Sequence, residues 1–345
     1  MNNWQFSVAP MMDWTDRHCR YFHRLMTRHA RLYSEMVTTG ALLHGNQPRH
    51  LDFDAAEHPV ALQLGGSEPA DLASCAQLAQ RWGYDEVNLN CGCPSERVLR
   101  GAFGACLMAE PELVRDCIKA MVDVVSIPVT VKHRIGIDKV ESYGFVRDFI
   151  GTVAQGGAQV FIVHARNAWL KGLSPKLNRE IPPLRYEIVA ALKRDFPELT
   201  IAINGGLTTL DESREQLDQV DGVMLGREPY HNPWMLASVD SALFGKPDPV
   251  SDRFELIDPL MAYAQRHIDQ GGRLRDLSRH VLGLFNGLAG ARRWRQMLSD
   301  ATLLAQNDPA LIARAAQAVE QALQTMSVGT SHLMQQGGTV TDSPA

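Results

Sequence analysis

The sequence predicts a (β/α)8 barrel, an α/β TIM-barrel fold, followed by a small C-terminal α-helical bundle, on three observations. Eight short β-like runs recur along the first two thirds of the 345 residues, with helix-like segments between them. Several runs are apolar on both faces, as in Gly222-Val-Met-Leu-Gly226, which suits a parallel sheet covered by helices. Beyond Pro233 the strands cease and only helical periodicity continues. Eight strand–helix units in about 230 residues match the ~250-residue size of such a barrel. A doubly wound sheet is the competing architecture. It needs fewer strands and usually a Gly-rich turn after the first, whereas here that turn is Pro10-Met11-Met12-Asp13.

In chain order the β-like runs fall at 6–9, 32–36, 60–64, 86–90, 129–133, 160–164, 200–204 and 222–226. Apolar residues at three- and four-residue spacing predict helices over 111–125, 140–155, 184–195 and 209–220. Lys246-Pro-Asp-Pro249 cannot continue a helix and reads as a linker. Helical stretches follow at 254–269, 277–288, 291–298 and 309–326, punctuated by Gly271-Gly272, Gly287 and Gly290. The expected organisation is therefore a barrel over 1–245 and a helical domain over 250–326. The polar, Gly/Ser/Thr-rich tail over 327–345 reads as disordered.

Composition narrows the class of protein. A hydrophobic content of 45% supports a large core, and a formal net charge of -5 argues against a generally basic nucleic-acid coat. The six cysteines form no C-x-x-C pair and no zinc-spaced His/Cys cluster, so no metal site is expected and reduced thiols are. No basic-then-apolar leader precedes Trp4, and no apolar run approaches the ~18 residues of a membrane span. The expectation is a soluble, cytoplasmic, monomeric protein without a membrane or stable protein partner.

Active sites of such barrels gather at the C-terminal ends of the strands. There the chain places Gln63, then Asn88 and Asn90, Lys132 and Arg134, His164 and Arg166, Asn204-Gly205-Gly206, and Gly226-Arg227. Any one of these reads as an ordinary satisfied hydrogen-bonder, but six strands ending this way describe a polar pocket. Strand four breaks into Cys91-Gly92-Cys93-Pro94, where Gly permits positive φ and Pro94 restricts Cys93 towards extended geometry. The glycines after strands seven and eight stand where these barrels commonly bind a phosphate. Lys132 lies on an otherwise apolar strand. It requires either a negative or electron-rich ligand, or a buried ion pair with Glu35 or another carboxylate.

Taken together, Ser7-Val-Ala-Pro-Met-Met-Asp13, Leu89-Asn-Cys-Gly-Cys-Pro-Ser95, Val131-Lys-His-Arg134, His164-Ala-Arg166, Asn204-Gly-Gly206 and Gly226-Arg227 resemble the tRNA-dihydrouridine synthases. Segments 161–183 and 224–233 look most like the bacterial A-type group, which reduces D-loop uridine. The resemblance implies FMN bordered by Pro10, Met11 and Met12, with Gln63 on its ring, Lys132 near its pyrimidine edge and His164 against it. Its phosphate would be held by Asn204, Gly205, Gly206, Gly226 and Arg227. NADPH (or NADH) would visit transiently as reductant, since the chain has no G-x-G-x-x-G and no P-loop.

Cys93 matches the family's catalytic cysteine, which protonates C5 of uracil while reduced flavin gives hydride to C6. A thiol, with an ordinary pKa of ~8.5, carries its proton at neutral pH and can serve as a general acid. Asn90 aligns with a residue that contacts the target uridine, whereas Cys91 reads as a packing thiol. The resemblance assigns tRNA contact to Lys176 and Arg179, on the long 166–183 connection, and to Arg292 and Arg295. The last two belong to a stretch in which Arg273, Arg275, Arg279, Arg292, Arg293 and Arg295 face only Asp276. Positions 20 and 20a of tRNA follow from the A-type likeness. Three other readings are a flavin barrel acting on a free pyrimidine, as dihydroorotate dehydrogenases do, a Schiff-base aldolase using Lys132, and a tRNA-binding protein without turnover.

Overall fold

Short strands are stable when a sheet closes on itself, because closure leaves no unpaired edge. The computed structural model describes residues 4–95 and 101–336, and the backbone alone over 327–336. Eight parallel strands close a barrel: β1 (Phe6–Val8), β2 (Arg31–Thr38), β3 (Val60–Gly65), β4 (Glu86–Cys91), β5 (Val129–Arg134), β6 (Val160–His164), β7 (Thr200–Asn204) and β8 (Gly222–Leu225). Each pairs with the next in sequence, and β8 returns to β1 with Phe6 opposite Val223. The doubly wound alternative is thereby set aside.

The surrounding helices are α1 (Arg17–Arg24), α2 (Thr39–His44), α3 (Gln47–Leu51), α4 (Pro69–Trp82), α5 (Pro111–Val122), α6 (Tyr143–Ala154), α7 (Tyr186–Asp195), α8 (Leu210–Leu217), α9 (Arg227–His231) and α10 (Val239–Phe244). Local chemistry sets several of their ends. Asp16 caps α1 by accepting from the amides of His18 and Cys19, both at 3.0 Å. Thr209 and Glu212 form a capping box on α8, and Gly83 ends α4 in the left-handed region. Along the strands, alternate residues face opposite sides. Leu62, Leu64, Val87, Leu89, Val131 and Phe161 are fully buried on one side. Ala61, Ile162, Ala202, Met224, Tyr33 and Ala9 form a buried cluster on the other, inside the barrel.

The chain divides into two compact units, Met1–Tyr230 with Met235–Pro249, and His231–Trp234 with Val250–Ala345. The second is helical: α11 (Ile257–Asp269), α12 (Leu274–Val281), α13 (Ala291–Ser299), α14 (Ala301–Ala305) and α15 (Ala310–Gln336). Two expectations need correction here. The helix predicted over 277–288 starts earlier and stops at Val281, after which the chain runs in successive turns, and positive φ at Gly287 and Gly290 keeps a helix from resuming before Ala291. The final helix runs to Gln336, ten residues into the stretch read as a disordered tail. Once a helix is nucleated, each further residue adds a hydrogen bond for only one pair of dihedrals fixed, so polar residues can extend it. Residues 337–345 lie outside the described residues.

Among the described residues no helix is long and apolar enough to cross a membrane, and no group of three or more His, Cys, Asp or Glu converges as metal ligands would. All six cysteines are free thiols.

Candidate active site

The residues of one alternate set on each strand point into the lumen. On β4 they are Glu86, Asn88 and Asn90; on β5 they are Thr130, Lys132 and Arg134. Hydrogen bonds that skip a strand require this facing. Lys132 Nζ on β5 donates to Asn204 Oδ1 on β7 at 3.0 Å, and the Tyr33 hydroxyl on β2 donates to Glu86 Oε1 on β4 at 2.7 Å. Gln63 Nε2 donates to Asn88 Oδ1 at 2.7 Å, and Asn90 Nδ2 donates to Gln63 Oε1 at 2.8 Å.

The cysteine loop sits directly on this ladder. Asn90 Oδ1 accepts from the amides of Gly92 at 3.1 Å and Cys93 at 3.0 Å. Arg134 Nε donates to the Gly92 carbonyl at 3.1 Å, and the Cys93 carbonyl accepts from the Ala105 amide at 2.9 Å. The Cys93 thiol, half-buried, faces Ser95 Oγ at 3.6 Å. Cys91 is fully buried on the opposite face of β4, where burial pushes its thiol pKa well up. Two residues apart in sequence, the two thiols thus have different environments, and only Cys93 is open to a ligand.

Lys132 is the unusual charge. Part of its side chain still touches solvent, but the protein packed around its ammonium, and then nearby Arg134, push its pKa down to about 7. The ion pair with Glu35 considered from sequence does not form. Glu35 instead accepts from the Asp13 amide at 2.5 Å, and burial raises its pKa. The same combination of burial and neighbouring cations holds His164 well below its usual range, so its imidazole is neutral. Arg134, its pKa lowered to about 10 by burial, meets carbonyls rather than carboxylates, donating to Asn167 at 3.0 Å and Asn178 at 2.9 Å. Arg166 donates to the carbonyls of Glu180 and Pro182 and keeps a buried Nε without a partner. Arg227 pairs with Glu180 at 3.1 Å. The mouth therefore gathers Lys132, Arg134, Arg166, Arg179 and Arg227 around one paired carboxylate.

Glycine is required at the end of β7. Gly205 and Gly206 have φ of +117° and +77°, and a Cβ on Gly205 would come within 2.8 Å of the His164 ring. Asn204 Nδ2 donates to the Met224 carbonyl at 2.7 Å, and the Tyr186 hydroxyl donates to the Gly205 carbonyl at 2.6 Å. Gly226 lies beside Ala9 and Met11, each 3.6 Å from where its Cβ would be. Pro10 and Met11 are half-buried at this edge, while Met12 is 52% exposed.

With this geometry in view, residues 7–326 match the family described as dihydrouridine synthase (Dus). The chain belongs to the dihydrouridine synthase family. It is 62% identical over 295 residues to the tRNA-dihydrouridine(20/20a) synthase of Pseudomonas putida, covering 86% of this chain and 88% of that one. The protein of the same name from Salmonella typhimurium is 57% identical over 313 residues, 90% of this chain and 94% of the other. A solved 2-naphthoyl-CoA reductase complex overlays with a TM-score of 0.54 at 10% identity, covering 70% of this chain and 50% of that chain, a likeness of fold alone.

For a dihydrouridine synthase the remaining predicted residues are basic. Lys176 and Arg179 are exposed at a short turn, Leu177–Arg179, and Arg179 is near enough to feel Cys93 and Arg227 electrostatically. In the helical unit Arg292 and Arg295 are exposed on α13, whose buried Trp294 donates to the Val281 carbonyl at 3.0 Å. Arg295 also donates to Asn286 Oδ1 at 2.7 Å. Glu86, Thr130, Asn88 and Arg134 join the site without a role predicted from sequence. Their signal was the polar alternation in Glu86-Val-Asn-Leu-Asn90 and Thr130-Val-Lys-His-Arg134, in register with the lumen-facing set.

Proposed function

We propose that this protein reduces D-loop uridine in tRNA to 5,6-dihydrouridine, at positions 20 and 20a, using FMN and NADPH. The observation that carries the reading is a half-exposed Cys93 thiol anchored beside a Lys132 that has an amide but no carboxylate partner, at the mouth of a barrel of this family. Dihydrouridine synthases are flavin-dependent, and the residues present fit a flavin nucleotide. A cationic mouth with a partnerless guanidinium Nε and an ammonium lacking a carboxylate suits a phosphate and an electron-rich ring. Asn204, Gly205, Gly206, Gly226 and Arg227 would hold the phosphate, and Pro10, Met11, Met12, Gln63, Lys132 and His164 the ring. When bound and reduced by NADPH, FMN supplies the hydride that uracil C6 accepts.

The protein's part is to bring C5 to a proton. Cys93 Sγ–H transfers its proton to C5 as the C5–C6 double bond becomes single, leaving a thiolate that solvent reprotonates. A positioned acid of this kind contributes ~10²–10⁴ in rate. His164, neutral, can lie against a ring without adding charge. Asn90 has already committed its oxygen to the loop and one amide hydrogen to Gln63, so one hydrogen remains for the uracil edge.

Both reacting carbons must be reached, so the uridine leaves its stack to enter the mouth. Lys176, Arg179, Arg292 and Arg295 would bind tRNA phosphates. The test is to incubate purified protein with unmodified tRNA and NADPH and map dihydrouridine by position. Products at 20 and 20a support the reading. Equal turnover of free uridine would favour a free-pyrimidine reductase instead, and protein unable to bind added FMN would remove flavin chemistry.

A further inference from the structure

The lumen contains a chain of hydrogen bonds whose direction is determined from both ends. At the base, Glu86 is fully buried, pairs with Arg31 at 3.1 Å, and accepts from Trp4 Nε1 at 2.7 Å, the Tyr33 hydroxyl at 2.7 Å and the Thr130 hydroxyl at 2.5 Å. A carboxylate only accepts, so Thr130 spends its single proton there. Towards Asn88 the Thr130 oxygen can then only accept, and Asn88 Nδ2 donates to it at 2.8 Å. This turns Asn88 Oδ1 to Gln63 Nε2, Gln63 Oε1 to Asn90 Nδ2, and leaves Asn90 Oδ1 for the loop. There the amides of Gly92 and Cys93 can only donate. Amide oxygen and nitrogen are nearly interchangeable in shape, so side-chain packing alone leaves three flips open. The acceptor-only base and the donor-only loop fix the same orientation for all three amides.

We propose that this relay holds Cys93 in place for proton transfer, with Thr130 and Asn88 as positioning residues that touch neither flavin nor uracil. The inference rests on the function proposed above. Thr130 is the one member in which a single hydroxyl must both donate and accept. In Thr130→Val the shape is kept but Asn88 loses its acceptor, so a flip that passes through Gln63 to Asn90 is opposed from the loop end alone. A flipped Asn90 turns its NH2 group against the amides of Gly92 and Cys93, and the loop carrying the thiol moves away. A misplacement of about 1 Å can cost ~10²-fold in rate.

The test uses the flavin-loaded protein and two half-reactions. Reduction by NADPH involves no Cys93 and is expected to slow less than reoxidation in Thr130→Val, since only the contact of Gln63 with the ring changes there. Reoxidation by tRNA, which needs the C5 proton, is expected to slow by about 10- to 100-fold with little change in KM for tRNA. Thr130→Ser restores the hydroxyl and is expected to restore the rate. In flavin-free protein, alkylation of Cys93 by iodoacetamide, read on its own peptide, is expected to be faster in Thr130→Val and normal in Thr130→Ser. Asn88→Ala breaks the next link and carries the same expectations should Thr130→Val fold poorly. Wild-type reoxidation rates in both variants, or equal slowing of both half-reactions, would overturn the relay. Failure of wild-type protein to be reoxidised by tRNA at all would overturn the functional reading on which it rests.

Discussion

Replacing Lys132 by Met tests the electrostatics of the mouth without any substrate. In unfolded chain a lysine has its ordinary pKa near 10.5, while in the folded, flavin-free protein burial holds Lys132 at about 7. Between these values the unfolded chain binds a proton that the folded protein does not, so stability rises with pH across that window. At 1.36 kcal/mol per pKa unit, the wild-type protein is disfavoured by about 4 kcal/mol at pH 7 and by about 2 kcal/mol at pH 9. Lys132→Met removes this titration. It also strips Asn204 Oδ1 of its donor, at a cost of about 1–3 kcal/mol that does not vary over this pH range. The variant's advantage over wild type, by urea unfolding of flavin-free protein, should therefore shrink by about 2 kcal/mol from pH 7 to pH 9. Parallel stability curves for the two proteins over that range would refute the argument that Lys132 lacks a counter-charge. Added FMN should narrow the difference at pH 7, because an anion at the mouth favours the charged ammonium.

Three further outcomes are expected. Cys93→Ala should retain flavin yet lose dihydrouridine formation by ~10²–10⁴-fold, whereas Cys91→Ala should lose stability but keep turnover; single-turnover assays and flavin absorbance distinguish them. Gly206→Ala should weaken FMN binding and destabilise the barrel by at least ~1–2 kcal/mol, from the positive φ and a collision with Leu184, read by thermal melting with and without FMN. Arg292→Ala and Arg295→Ala should each lower the magnitude of the salt dependence of tRNA affinity by about one phosphate's worth, ~0.7–0.9 in log–log slope, while leaving kcat at saturating tRNA unchanged.

Much of the barrel was legible because its signals are local. Each strand announced itself in a run of four or five residues, and the observed spans differ from the expected ones by a residue or two at most sites. The helix from Leu274 is shorter than its apolar spacing predicts because the successive turns over 282–290 meet the same spacing; glycine's own effect depends on the φ it adopts, positive at Gly287 and Gly290 but not at Gly151 inside α6. At the site, strand-end polarity pointed to Gln63, Asn90, Lys132, His164 and Asn204, which the fold does gather at one mouth. Glu86 and Thr130 escaped notice as chemistry because they lie at the strand starts, where an isolated polar residue has an ordinary structural reading.

By itself the sequence determined the strand count, the helical C-terminal unit, the break at Cys91-Gly92-Cys93-Pro94 and the glycine pair after β7. All of these follow from residue spacing and backbone permissiveness over a few positions. Tertiary structure alone decided which thiol is open, that Lys132 meets Asn204 rather than Glu35, and which way the amides of Asn88, Gln63 and Asn90 point. Desolvation and hydrogen-bond direction depend on neighbours through space. Those neighbours stand 72 residues away for Lys132 and Asn204, and 44 for Thr130 and Glu86.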